Sequence, residues 1–335
     1  MKPPRISVVV PVYKEERNIE PFLNRLLPVL DKIGSYEILF CLDPSPDSTE
    51  KVILKAIESN SHIGLLVFSR RFGQPSAVIA GIRHCTGETC VVIDVDLQDP
   101  PEVIGKLYEK LMEGYDVVYA KRSSRKGETL VKRAISYLGY KLINSVSDVN
   151  IPRDTGDFRI MRRRVIEHLS RLKEGHGFLR GLVAFVGFKQ TFLEYDRDSR
   201  SFGTGNYNRY FGSLKIGFNG LIGFSNFLLD LMLLVGLVIT IFCSILTVAI
   251  IISRFVLNIS YPIGVPTIIV LILFMGGVQL MSVGILGQYI GRVYDEVKER
   301  PQFIVDRTAN VNSVSFSDPY ITARREHDVV DSMDH

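Results

Sequence analysis

The chain of 335 residues has no tryptophan and only four cysteines. Those cysteines, at 41, 85, 90 and 243, show no paired CxxC spacing, so neither a disulfide framework nor a structural zinc site is expected. The opening MKPPRISVVVPVY offers too short an apolar run for a leader peptide and no cleavage-like site, so none is expected. No GxGxxG follows the first strand-like segment, which disfavours a dinucleotide-dependent dehydrogenase. Internal repeats and low-complexity runs are missing as well. The net charge is only +4, and the basic residues gather at 121–126, 159–164 and 197–209. Nucleic acid is therefore not an expected partner, whereas anionic lipid or phosphate suits the last of these clusters.

Charge is also missing from residues 231–252 and 266–290. Each stretch is long enough to cross a bilayer, which takes about 20 apolar residues. Two transmembrane helices are expected there. The connection between them carries only Arg254, while the outer flanks carry Lys215, Arg292, Lys298 and Arg300. That asymmetry predicts that the N-terminal region and the C-terminal tail both face the cytoplasm. Residues 207–224 have the pattern of an interfacial amphipathic helix. The tail from Pro301 loses apolar periodicity and is expected to be mobile. The small-residue stretch from Gly284 to Gly291 offers a face for homo-oligomer formation.

What is present before residue 200 alternates between strand and helix patterns. RISVVVPVY, YEILFCLD, HIGLLVFS and CVVIDVD read as strands, separated by helices near 15–33, 48–59 and 75–84. Short β-branched runs between helix-length segments predict an α/β fold with a mainly parallel sheet. DVVYAKR and FKQTFLEY add two strands, the second leaving the domain, with a helix over 128–146 between them. Asp154 and Asp157 are placed on a turn before a basic helix. Ligands of such sheets collect at the carboxyl ends of the strands, and the unusual polar residues lie there. They are Tyr13 and Glu15 after the first strand, Asp43, Ser45 and Asp47 after the second, Ser69, Arg70 and Gln74 after the third, and an acidic run after the fourth.

That run, DVDLQDPPE, places Asp94, Asp96, Asp99 and Glu102 at a strand tip. On the turn after a strand, Asp94 and Asp96 can reach one ion, and a hard divalent cation such as Mg²⁺ or Mn²⁺ takes carboxylate oxygens together with substrate phosphates. A bare DxD also serves as a helix cap or a loop, and Asp157 is also placed to cap the helix that follows it.

PVYKEE at 11–16, LDPSPDST at 42–49, RRFGQPSA at 70–77, DVDLQDPPE at 94–102 and TGDFRIMRR at 155–163 together resemble the inverting glycosyltransferases of family 2, of GT-A fold. With the two apolar runs, the chain is similar to polyisoprenyl-phosphate glycosyltransferases of the bactoprenol glucosyltransferase type, relatives of dolichyl-phosphate mannose synthase. The resemblance implies a cytoplasmic GT-A domain over 1–200, a juxtamembrane amphipathic segment over 201–226, two transmembrane helices within 227–300 and a cytoplasmic tail over 301–335, in a bacterial inner membrane.

It also implies roles for residues. Pro11, Tyr13, Glu15, Asp43, Asp47, Arg70, Gln74 and Asp94 would line a nucleotide-sugar donor. Asp96, with Asp94, would hold the metal. Gln98, Arg180, Arg197 and Arg200 would meet the phosphate of a polyisoprenyl lipid, and Asp157 would act as base or orient the acceptor. His176 is a weaker acceptor candidate. Two departures stand out: Pro44 occupies a position where the family commonly has glycine, and the Ser-Lys pair that usually follows the arginine motif is replaced by Gly205 and Asn206. Processive relatives carry a QxxRW motif, so the missing tryptophan favours transfer of one sugar per cycle. UDP-glucose is the donor the resemblance suggests, with GDP-mannose and a UDP-aminoarabinose still open. A nucleotidyltransferase and a non-catalytic sugar-nucleotide-binding protein tethered to the membrane are the rival readings.

Overall fold

The computed structural model describes residues 2–123, 155–172, 179–197 and 264–311, with scattered helical positions between 229 and 252. The seven described strands before residue 200 and one from residues 305–309 build a single eight-stranded sheet, covered by helices on both faces. In chain order the elements are β1 (Ile6–Val12), α1 (Ile19–Ile33), β2 (Tyr36–Leu42), α2 (Thr49–Ser59), β3 (Ile63–Phe68), α3 (Gln74–His84), β4 (Thr89–Val92), α4 (Val103–Met112), β5 (Val117–Arg122), β6 (Thr155–Arg162), α5 (Arg163–Arg171), α6 (Leu179–Val186), β7 (Gln190–Tyr195), α7 (Val265–Val297) and β8 (Val305–Ala309). The strands lie in the order β7-β5-β6-β4-β1-β2-β3-β8.

The expected α/β fold of GT-A-like kind is present, with a mixed sheet. β1, β2, β3 and β4 run parallel, while β6 is antiparallel to both β4 and β5, and β8 is antiparallel to β3. Alternation along β1 sorts the core into two layers. Val8, Val10 and Val12 pack with the buried faces of α1 and α4, and Val9 packs with α3, α5 and α6 on the other side. A strand buried on both faces needs apolar residues at every position, which is why VVVPV reads as a continuous run. Helix α3 sits so close to β1 that a Cβ on Gly81 would lie 2.2 Å from a methyl of Val9. Only a residue without a side chain allows that approach.

Several expectations are corrected. The fourth strand ends at Val92 rather than Asp96. The β1–β4 ladder runs as far as the bond from Ile93 N–H to the Val9 carbonyl, 3.1 Å. The next rung would need an N–H from Pro11, which proline lacks, so residues 94–96 peel away from the sheet. Asp157 lies within β6, not on a turn, and α5 begins six residues later, so Asp157 does not cap it. FKQTFLEY does not leave the domain: β7 pairs parallel with β5 and forms one edge. The tail is not mobile from Pro301, because β8 pairs with β3 and Phe303 and Val305 are buried. The five residues Val-Asp-Arg-Thr-Ala are too short and too polar to signal a strand unless the partner edge is known.

Helix α7 runs for 33 residues and contains the whole of the second expected span. Counting only the described side chains, no helix is long and apolar enough to cross a membrane. Most of the first expected span, the amphipathic segment 201–226, the helix over 128–146, and residues Asp154, His176, Arg200 and 312–335 lie outside the described residues.

Candidate active site

The carboxyl ends of β1 to β4 meet at one edge, and the loops there are bound to one another by specific side chains. Asp43, at the end of β2, is buried and accepts the backbone N–H groups of Phe72 and Gly73, both at 2.9 Å. It clamps the loop after β3 onto β2. From the start of α3, Gln74 donates through Nε2 to Asp94 Oδ1 at 2.8 Å, joining the third loop to the fourth. The Arg71 guanidinium stacks over the Tyr13 ring, 4.0 Å from its centroid, and Arg70 stacks over Phe72 at the same distance. Arginine–aromatic stacking of this kind can be exchanged for a nucleobase on the same ring.

Two other expected donor residues serve their own loops. Asp47 accepts from the hydroxyls of Ser45 and Thr49 at 2.5 and 2.7 Å, shaping the turn into α2. Glu15 accepts from Asn18 Nδ2 at 2.5 Å, and its backbone N–H donates to Thr49 Oγ1 at 3.0 Å. Pro11 stays in β1, where its role is to end the ladder.

The acidic run divides in two. Glu102 makes a fork with Arg25 at 2.7 and 2.8 Å, tying α4 to α1. Asp99 is buried, accepts from the Tyr195 hydroxyl, and faces Arg197 at 3.3 Å and Arg122 at 4.0 Å. These two carboxylates fasten the turn. Asp94 and Asp96 stand on the turn itself. Leu97 takes a left-handed φ of 59°, which a branched side chain adopts only under constraint, and that geometry lets Gln98 N–H reach Asp96 Oδ1 at 3.1 Å. Lys14, in the loop after β1, is left-handed too.

Across the sheet, Val92 pairs with Arg159. Two residues further on, at the same end of these antiparallel strands, stand Asp94 and Asp157. Arg159 is fully buried beneath them: it donates to the Gly156 and Asp157 carbonyls at 3.0 and 3.2 Å, faces Asp157 Oδ1 at 3.4 Å and lies over the Tyr119 ring. Among the described residues its buried Nη1 has no hydrogen-bond partner. Arg180 on α6 reaches the same Asp157 oxygen at 3.2 Å. Burial works to raise the Asp157 pKa, but Arg180, Arg159 and Arg122 hold it below the usual carboxylate range. An ionised carboxylate so held is a weak base and a firm anchor for guanidinium groups.

Asp94 is in the opposite state. Burial first, then repulsion from Asp157, Asp96 and Asp99, pushes its carboxyl up to about 8, with Arg197 opposing. The folded pKa lies above the unfolded one, so the stability Asp94 permits is fully present below pH 4 and is lost as pH rises to 8. Asp94→Asn should therefore stabilise the ligand-free protein at pH 8 by about 2 kcal/mol, after allowance for solvent screening, and by nothing near pH 4. Denaturant midpoints of both proteins across pH 4–9 measure this. A difference that does not change with pH would refute it.

Among the described residues no three His, Cys, Asp or Glu side chains form a cluster that could hold a metal ion by themselves. The pair Asp94 and Asp96 nonetheless fits a hard cation: both offer carboxylate oxygens on one turn, and after burial it is the neighbouring carboxylates Asp157, Asp96 and Asp99 that push Asp94 towards protonation, a repulsion a cation would relieve. Of the expected acceptor residues, Arg180 and Arg197 face Asp157 and Asp99, and Gln98 lies beside Asp96. Arg71, Arg122, Arg159 and Tyr195 were not expected at the site. A basic motif such as RIMRRR carries no mark of which arginine points inward.

The Glycosyl transferase family 2 model matches residues 7–170. An uncharacterized glycosyltransferase of Synechocystis sp. is 41% identical over 301 residues, 90% of this chain and 94% of its own length. A prophage bactoprenol glucosyl transferase homolog of Escherichia coli is 38% identical over 305 residues, 90% of this chain and 99% of its own. Among solved structures, glucosyl-3-phosphoglycerate synthase of Mycobacterium tuberculosis, in complex with Mn²⁺, UDP and glucosyl-3-phosphoglycerate, aligns at 20% identity with a TM-score of 0.44, covering 65% of this chain and 78% of that one.

Proposed function

From the premise that this chain belongs to glycosyl transferase family 2 and is a sugar-transferring enzyme, we propose that it moves one glucose from UDP-glucose to a polyprenyl phosphate, with inversion, at the cytoplasmic face of a bacterial membrane. The observation that carries this reading is the juxtaposition of the Asp94–Asp96 turn with the ion-paired Asp157, Arg159 and Arg180. One side suits a cation and a diphosphate; the other is rich in guanidinium groups that bind phosphate oxygens in a fork. The name of the Escherichia coli relative supports the choice of sugar and lipid.

The donor base would exchange with Arg71 on Tyr13, and Gln74 would orient Asp94 towards the ribose and diphosphate. Asp96 and Asp94 would hold Mg²⁺ or Mn²⁺, which supplies charge neutralisation for the departing diphosphate when bound. A phosphate monoester has a second pKa of about 6, so the acceptor is largely dianionic at neutral pH and needs little help from a base. Asp157 accordingly holds Arg180 and Arg159 in place and removes no proton. Arg180 and Arg197, with Arg200, would align the lipid phosphate for attack on the anomeric carbon.

Membrane attachment is part of the same proposal. α7 has about 50 Å of helical length at 1.5 Å per residue, and Leu271, Ile272, Phe274, Leu280, Met281 and Ile290 are exposed along it. Such a surface is costly in water and stable in lipid. Together with residues 231–252 it would anchor the enzyme with both termini cytoplasmic. The test incubates the full chain in detergent with undecaprenyl phosphate, a divalent cation and a panel of radiolabelled sugar nucleotides. Label from UDP-glucose should enter the organic phase with release of UDP. Label from another donor alone overturns the choice of sugar, and release of pyrophosphate overturns glycosyl transfer.

A further inference from the structure

We infer that the segment Phe303–Asn310, which follows the apolar helix, is a strap that positions the loop 69–73 for donor binding. This inference rests on the assignment of that loop to the donor. β8 completes the sheet by covering the free edge of β3, with Leu65 opposite Ala309 and Phe68 opposite Val305. The strap also reaches past the end of β3. The Ser69 N–H, the first of the loop, donates to the Ile304 carbonyl at 3.0 Å. Phe303 is buried, with its ring 6.0 Å from Phe68 and 6.1 Å from His84, and the Arg83 guanidinium lies 5.6 Å from its centroid.

From Phe68 the contacts continue to Phe72, edge to face at 6.1 Å, and Phe72 and Gly73 are the residues whose amides Asp43 clamps. His84 and Arg83 close the far end of α3, the helix whose first residue, Gln74, holds Asp94. The strap thus grips the loop and its helix at both ends. Two further anchors fix its register. Arg307 makes a fork with Glu50 on α2 at 2.7 and 2.8 Å, and Asn310 Nδ2 donates to the Ser61 and Ile63 carbonyls at 2.7 and 2.8 Å. A Cβ on Gly64 would lie 2.9 Å from the Asn310 carbonyl oxygen, so β3 is shaped to receive it. A cover for a bare sheet edge would need none of the contacts beyond Phe68. Only residues 298–302 separate α7 from Phe303, so the end of the apolar helix stands within about 20 Å of the donor loop.

The experiment uses the full chain and three readouts: UDP affinity by calorimetry, KM for sugar nucleotide against KM for undecaprenyl phosphate, and amide exchange over 66–74 against 36–42. Phe303→Ala should weaken UDP binding about tenfold, raise the donor KM by a similar factor, leave the lipid KM within about twofold, and speed exchange over 66–74 only. Phe303→Leu should show the same pattern at smaller size, which covers the case in which the alanine variant does not fold. Arg307→Glu or Glu50→Arg alone should raise the donor KM several-fold, and the double reversal should restore it. Unchanged exchange over 66–74 overturns the strap's hold on the loop. Faster exchange with unchanged UDP affinity overturns the loop's assignment to the donor, and the inference with it.

Discussion

Asp96→Asn is expected to lower kcat by about a thousandfold while the unfolding temperature stays within about 2 °C of the parent. The separation of the two effects follows from geometry. Asp96 is buried, and its Oδ1 accepts the Gln98 N–H at 3.1 Å. An asparagine keeps an oxygen in that place, so the turn with its left-handed Leu97 survives. What would be lost is the carboxylate charge that, on the proposed function, holds the divalent cation and through it the neutralisation of the leaving diphosphate; removal of one preorganised electrostatic partner costs about 10² to 10³ in rate. Metal titration of the variant should show saturation shifted upward by at least an order of magnitude. Full turnover by Asp96→Asn would mean that the acidic turn is structural, and the reaction would have to be sought elsewhere on the sheet edge.

The sheet that supports this turn could be read from the sequence because its central strands are apolar at every position. Buried parallel strands impose that pattern, and the helices between them have an apolar stripe of helical period. The end of β4 could not be read from CVVIDVD, since β-branched residues continue to Val95. It is set by a residue on a different strand, Pro11, whose missing N–H stops the ladder. β6 hid for a related reason. TGDFRIMR has a glycine, an aspartate and two arginines, which argue for a turn, and only pairing with both β4 and β5 makes it a strand. The burial of Arg159 follows from that pairing and has no local signature. β8 needed knowledge of the open edge of β3. The acids Asp94 and Asp96 were legible because they crowd at a strand tip, but the different duties of Asp99 and Glu102 in the same run depend on Arg122, Arg197, Tyr195 and Arg25, which are distant in sequence.

Arg159 and Asp157 allow a second large effect to be expected, this time on stability. Arg159 is fully buried, and in the described structure its ion-pair partner is Asp157. Removing that partner leaves a guanidinium in the core with little to offset its lost hydration, and breaking a buried pair in this way costs about 3 to 5 kcal/mol. Asp157→Asn should therefore destabilise the protein by about 3 kcal/mol, as well as lowering activity. Arg159→Met removes the charge and the unpartnered Nη1 together while keeping similar volume, so it should change stability by less than about 1 kcal/mol. The double variant decides between pairing and independent packing. If the two residues act as a pair, Asp157→Asn with Arg159→Met should regain at least half of the stability lost by Asp157→Asn alone, a coupling of about 2 kcal/mol in denaturant unfolding. Activity should not recover with it, because Asp157 also holds Arg180 at 3.2 Å, the arginine proposed above to align the acceptor phosphate. Additive losses of stability would show that Arg159 is held by the Gly156 and Asp157 carbonyls and the Tyr119 ring alone, and that Asp157 owes its lowered pKa to Arg180.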